Sequence, residues 1–248
     1  MSAATPPPPP PLQVDGLQAW YGAAQILFDV GLEVGAGEVV ALMGRNGAGK
    51  STTLKAIAGL IARREGRVRL LGDDVSRLAP HDLARRGLGW VPEDRRIFTD
   101  LTVLENLEVG RQPQRRWPDG RPAPLWTPER LFTLFPNLGE MPRRPGGRMS
   151  GGEQQMLTVA RTLMGQPLVV LLDEPSEGVA PIIVEQMADT IVQLKAEGIG
   201  ILLSEQNLSL AEAVADRAYV LEKGRIVHAA PMAELAADGA ARQAYLGV

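Results

Sequence analysis

Apolar and polar positions alternate along residues 12–17 and again along 26–34, a period of two that predicts paired strands. Gly35-Ala36-Gly37 interrupts the alternation as a turn, and the run Glu-Val-Val-Ala-Leu-Met at 38–43 reads as a buried strand. A glycine-rich loop follows, then a helix over about 51–61. Residues 68–71 and 88–91 predict further strands. Five successive apolar residues at 168–172 mark a strand buried on both faces, and 199–203 is another. Between these two, 182–195 carries helical spacing. Residues 219–221 and 225–227 predict a hairpin across Glu222-Lys223-Gly224. Strands alternating with helices imply an α/β core with a mainly parallel sheet.

The middle of the chain breaks this rhythm. From about 101 to 163 helical patterns dominate, interrupted by a Pro/Arg-rich stretch at 111–128 and a loop at 142–148. Thr127-Pro128-Glu129 has the form of an N-cap followed by proline at the first helical position. The region reads as a helical lobe, about 93–163, inserted between core segments at about 12–92 and 164–248. Six consecutive prolines at 6–11 make residues 1–11 a stiff, disordered tail outside the fold.

Composition narrows the function. Hydrophobic residues make up 45% and aromatics only 4%, so the core rests on Val, Leu, Ile and Ala. The absence of cysteine excludes disulfides and thiolate metal sites. A net charge of −3 gives no broad electrostatic case for nucleic acid. No run reaches the ~18 apolar residues of a membrane span, and no secretory signal opens the chain. The chain is therefore expected to be cytosolic, meeting a membrane only through a partner.

Gly44-Arg45-Asn46-Gly47-Ala48-Gly49-Lys50-Ser51 is a complete phosphate-loop pattern, set between an apolar strand and a helix that Thr52 continues. Its glycines let the backbone point N–H groups at phosphate oxygens, and the helix directs its positive end at the same anion. Lys50 is placed to neutralise the β- and γ-phosphates of ATP, and the Ser51 hydroxyl to ligate Mg²⁺. The apolar run at 168–172 ends in Asp173-Glu174. Ligands bind at the carboxyl ends of strands in open α/β sheets. Asp173 is suited to Mg²⁺, and Glu174 to polarising the water that attacks the γ-phosphate.

Met149-Ser150-Gly151-Gly152-Glu153-Gln154-Gln155 resembles the signature motif of the ATP-binding-cassette (ABC) ATPases, with Met149 where Leu is commoner. Read plainly, it is a serine and two glycines opening a helix over 153–163, a second anion site. The resemblance covers about 12–248 and implies a P-loop NTPase (RecA-like) core with an antiparallel β subdomain and an inserted helical signature subdomain. It also implies two cassettes paired head to tail, with Ser150, Gly151 and Gly152 acting on the nucleotide held by the other subunit. Tyr21 matches the aromatic that stacks on adenine, Glu93 opens the family's glutamine loop, and Gln206 lies in the switch segment 203–207. Glu93 and Gln206 would sense the γ-phosphate, and Glu93 would also reach Mg²⁺ or water.

The residues at 91–98, 149–157, 181–183, 205–207 and 244–247 resemble one subgroup: the second ATPase of bacterial branched-chain amino-acid importers. That subgroup implies transmembrane permease subunits, a second ABC ATPase as heterodimer partner, an extracytoplasmic solute-binding protein and a peripheral place on the cytoplasmic face of the inner membrane. Importers of urea and short amides have similar ATPases. Three departures from the general pattern stand out: Glu93 replaces glutamine, Gln206 replaces a titrating histidine, and Glu177 and Val179 break an expected Ser-Leu-Gly-Leu run. The rival class is a soluble ABC ATPase remodelling a nucleic-acid or protein partner, usually with two fused cassettes or a coiled-coil insertion. This chain has one cassette and no heptad run. Arg95, Arg96, Arg111, Arg115, Arg116 and Arg121 read as solvated surface, His81 and His228 as structural, and Trp117 and Trp126 as packing against the helical lobe.

Overall fold

The computed structural model describes residues 9–239; the start of the proline run and Ala244-Tyr245-Leu246-Gly247 lie outside the described residues. The first half of the chain runs β1 (Leu12–Tyr21), β2 (Ala24–Val34), β3 (Val39–Met43), α1 (Lys50–Ile57), β4 (Arg63–Leu70), β5 (Asp73–Asp74), α2 (Pro80–Arg85) and β6 (Leu88–Val91). The middle is helical, with α3 (Val103–Gly110), α4 (Pro128–Leu134), α5 (Pro136–Glu140) and α6 (Gly151–Met164). The rest is β7 (Val169–Asp173), α7 (Pro181–Ala196), β8 (Gly200–Glu205), α8 (Leu208–Val214), β9 (Arg217–Glu222), β10 (Arg225–Pro231) and α9 (Met232–Ala237).

A six-stranded sheet in the order β10-β9-β3-β8-β7-β6 forms the core, parallel throughout except for the β9–β10 hairpin. A smaller antiparallel sheet in the order β2-β1-β4-β5 lies against it. The mainly parallel sheet is the one the patterning predicts, and the antiparallel β subdomain is the one the resemblance implies. Alternate residues of each buried strand serve opposite faces. Val40, Leu42, Val169, Leu171 and Leu202 join the cluster shared with the antiparallel sheet and α1, whereas Val39, Val170, Leu172, Ile201 and Leu203 join α6, α7 and the helical segments. Each such side chain stabilises the fold by about 1.5–3 kcal/mol. An exposed ion pair contributes about 0–1 kcal/mol, so apolar burial sets the strand positions.

Three expectations are revised. The helix after the glycine loop ends at Ile57 rather than Ile61, because Gly59 has φ +78° and turns the chain away. Strand β4 begins at Arg63, five residues before the apolar run, since its charged half is held by backbone pairing to β1 and shows no apolar alternation. Arg115 is not solvated surface. Its guanidinium donates to the carbonyls of Gln166 at 2.8 Å, Ala84 at 2.9 Å and Arg85, which ties the Pro/Arg-rich stretch to the C-terminal end of α2 and to the connection before β7. Two of these carbonyls, of Ala84 and Arg85, lie at the negative end of α2, where a cation is favoured. Trp126 is buried among α4, α5 and α6 as expected, and the Trp117 ring lies against Gly198 just past the end of α7.

Candidate active site

The glycine loop, the acidic pair and the switch segment follow the C-terminal ends of three adjacent strands, β3, β7 and β8. Gly44 leaves β3 with φ +150°, and a Cβ there would stand 2.3 Å from the Leu221 carbonyl, so the loop can leave the sheet only through glycine. Helix α1 begins without a side-chain cap and without a carboxylate in its first turn. Its N-terminal N–H groups are thus available to an anion. Lys50 is 3% exposed; its ammonium donates to the Gly44 carbonyl at 2.9 Å and lies 3.2 Å from Glu174 Oε1. Asn46, Gly47, Gly49, Lys50, Ser51 and Thr52 line one side of a cleft of about 370 Å³; Glu93, Glu174 and Glu177 line the other, with Ile26 at its edge.

Glu174 adopts φ +46°, a conformation that costs a non-glycine residue about 1–3 kcal/mol and concentrates at functional sites. Its backbone N–H is held by the Ser204 carbonyl at 3.0 Å. Gln206 Nε2 donates to Glu174 Oε2 at 2.7 Å, so the two carboxylate oxygens face Lys50 and Gln206. Burial pushes this carboxyl up, but a hydrogen bond with Glu177, the Lys50 charge and the Gln206 amide outweigh it and hold Glu174 below the usual range. Glu177 moves up, through the hydrogen bond it shares with Glu174, its burial and the charges of Glu174, Glu93 and Glu205.

Asp173 is fully buried at the end of β7. Burial raises its carboxyl, against the opposing hydrogen bonds of Ser204 and Ser51 and the Lys55 charge. Oδ1 accepts from the Ser204 hydroxyl at 2.8 Å, while Oδ2 has no hydrogen-bond partner. A buried carboxylate oxygen left unpaired beside a serine hydroxyl fits a hard divalent cation.

Other predicted residues fall elsewhere. Tyr21 is 49% exposed at the end of β1 and is not among the described residues lining the cleft. Arg45 is exposed on the glycine loop, and Ala48 is buried with its carbonyl accepting from Gly224 N–H at 2.9 Å. Ser150, Gly151 and Gly152 also stand outside the cleft, at the start of α6. Ser150 and Glu153 form a reciprocal capping box there, and a Cβ on Gly152 would meet Ile183 of α7 at 2.6 Å. Sequence reasoning missed the contact of Glu177 with Glu174, the role of Ser204 on Asp173, and Glu205. An acid closing the apolar run of β8 is the one signal that marked Glu205.

Residues 27–177 match the family model described as ABC transporter. The chain belongs to the ABC transporter family. The cassette is 44% identical over 236 residues to the high-affinity branched-chain amino acid transport ATP-binding protein BraG of Pseudomonas aeruginosa, a match covering 95% of this chain and 99% of that protein. It is 34% identical over 242 residues to the lipopolysaccharide export system ATP-binding protein LptB of Haemophilus influenzae, covering 95% and 97%. Among solved structures, a nucleotide-free ATP-binding cassette from an ABC transporter matches with TM-score 0.76 and 28% identity, covering 92% of this chain and 95% of that one. The ATP-binding subunit of an ABC transporter matches with TM-score 0.77 and 29% identity, covering 95% and 96%. The cassette is a nucleotide-binding ATPase with a P-loop NTPase fold.

Proposed function

We propose that this cassette hydrolyses ATP to drive uptake of branched-chain or other hydrophobic amino acids, or related small solutes, through transmembrane permeases. The observation that carries the hydrolytic part is the chain of contacts Lys50–Glu174–Gln206 at the ends of β3, β7 and β8. The N–H groups of the glycine loop and the Lys50 ammonium bind the β- and γ-phosphates. Ser51 and Asp173 would hold Mg²⁺, whose charge neutralises the phosphate oxygens, with Glu93 at the rim. Glu174 takes a proton from the water that attacks the γ-phosphorus, and the Gln206 amide keeps its carboxylate oriented. Ser150, Gly151 and Gly152 complete the site of a second cassette paired head to tail, which accounts for their distance from this chain's own cleft.

The 44% identity to BraG over nearly all of both chains supports the solute class and the direction of transport. The heterodimeric ATPase pair and the solute-binding protein outside the membrane follow from the resemblance of this chain's motifs to the importer subgroup. Among the described residues no helix is long and apolar enough to cross a membrane, so the permeases would hold the cassette at the cytoplasmic face of the inner membrane. Similarity to LptB gives export as the second reading. Reconstituting the cassette with its co-purifying permeases in vesicles separates the two. ATP-dependent accumulation of leucine or a related solute, delivered by the cognate binding protein, is expected. Export of a lipid-linked solute, or co-purification with ribosomes or DNA in place of permeases, would overturn the importer.

A further inference from the structure

Glu205 closes β8 and is 1% exposed. None of the described lysines or arginines forms an ion pair with it; its carboxylate instead accepts three backbone N–H groups. Oε1 takes Ser176 N–H at 3.0 Å, and Oε2 takes the N–H groups of Gln206 and Asn207, each at 3.0 Å. Burial raises this carboxyl, and the bonds from Ser176, Asn207 and Gln206 oppose the rise. A buried carboxylate is costly, and a polar side chain could satisfy Gln206 and Asn207 locally at lower cost. Asn207 already caps α8 with its own side chain, accepting from Leu210 N–H at 3.2 Å. Only the bond to Ser176, 29 residues away, needs the full reach of a glutamate.

The three donors belong to the two segments that frame Glu174. Ser176 follows it by two residues, in the loop that also bears Glu177, and Gln206 holds its Oε2. We infer that Glu205 is a positioning residue that fastens the loop after the acidic pair to the switch segment, so that Glu174 keeps its aim at the attacking water. The inference rests on the proposed role of Glu174. It makes one buried side chain the link through which a shift in the loop after the acidic pair reaches the base.

Two replacements test it in the cassette assembled with its partner ATPase and permeases. Glu205→Asp keeps the charge and the two local bonds but is one methylene too short for Ser176. Glu205→Gln keeps the length and removes the charge. Both should lower kcat about ten- to hundredfold, the scale of a small misplacement of a reacting group. KM for ATP should stay within about twofold, since binding is not touched. Amide exchange at Ser176 should quicken while the strands of the core keep their protection. In a Glu174→Gln background the same changes should alter turnover by less than about twofold, because coupled residues are not additive. Unchanged kcat in a folded Glu205→Asp protein with a deprotected Ser176 amide would overturn the inference, as would a full additional loss in the Glu174→Gln background. Failure of the underlying reading shows itself separately, as undiminished turnover in Glu174→Gln alone.

Discussion

At the scale of single residues, Lys50 and Glu174 neutralise each other at 3.2 Å inside a cleft that must admit a polyphosphate. Replacing Glu174 with Gln removes the competing charge and the proposed proton acceptor together. ATP affinity is expected to rise while hydrolysis falls by about 10²–10⁴, the usual contribution of a general base. Equilibrium nucleotide binding and steady-state phosphate release measure the two effects; undiminished release would show that Glu174 is not the base. Gln206→Ala breaks one hydrogen bond from an amide to the ionised carboxylate. Such a bond contributes about 1.5–3 kcal/mol, so turnover of the assembled transporter should drop about ten- to a hundredfold. A loss matching that of Glu174→Gln would make Gln206 a principal catalytic group. The glycine loop and the acidic pair were legible in the sequence because their chemistry depends on short, contiguous spacing. Glu205, Ser204 and the pairing of Glu177 with Glu174 were not, because each depends on how β7 and β8 lie side by side.

At the scale of elements, the β9–β10 hairpin does more than extend the sheet. Its turn residue Gly224 donates to Ala48 of the glycine loop at 2.9 Å and accepts from Phe28 of β2 at 2.8 Å. With φ +74°, a Cβ there would lie 1.8 Å from the Ile26 carbonyl. Gly224→Ala should therefore cost about 2–4 kcal/mol, through backbone strain and displacement of β2. Tm should fall by roughly 4–16 °C for a domain of this size. Weaker ATP binding should accompany the loss, since Ala48 loses its anchor; calorimetry and nucleotide titration follow both. The hairpin itself was visible in the sequence, whereas its hold on the glycine loop was not. The unassigned helices α2, α8 and α9 have six or seven residues each, too few turns for an apolar period to stand out.

At the scale of the whole molecule, the start of α6 stands outside this chain's cleft, so its effect should fall on another subunit. In the assembled pair, Ser150→Arg should abolish photolabelling by an ATP analogue at the partner's phosphate loop and leave this chain's own loop labelled. Loss confined to this chain's loop would contradict the head-to-tail arrangement. The inserted helices were legible as a departure from the strand–helix rhythm, but not their anchorage. Val103, Leu107, Leu131, Phe135 and Leu138 are buried in the same cluster as Val170 and Leu172 of the sheet. Uncovering these five side chains would cost about 1.5–3 kcal/mol each, a sum comparable with the roughly 5–15 kcal/mol that holds a whole domain folded. Tearing α3, α4 and α5 away from α6 is therefore too costly for turnover, so these helices should move with α6 as one body. The polar contacts of α6, from Thr158 to the Arg95 carbonyl at 2.9 Å and from Thr162 to the Trp90 carbonyl at 3.4 Å, can be exchanged without exposing that apolar face. Any rearrangement of the helical region during turnover should carry α3 to α6 together, and under denaturant the helices and the sheet should melt as one cooperative unit.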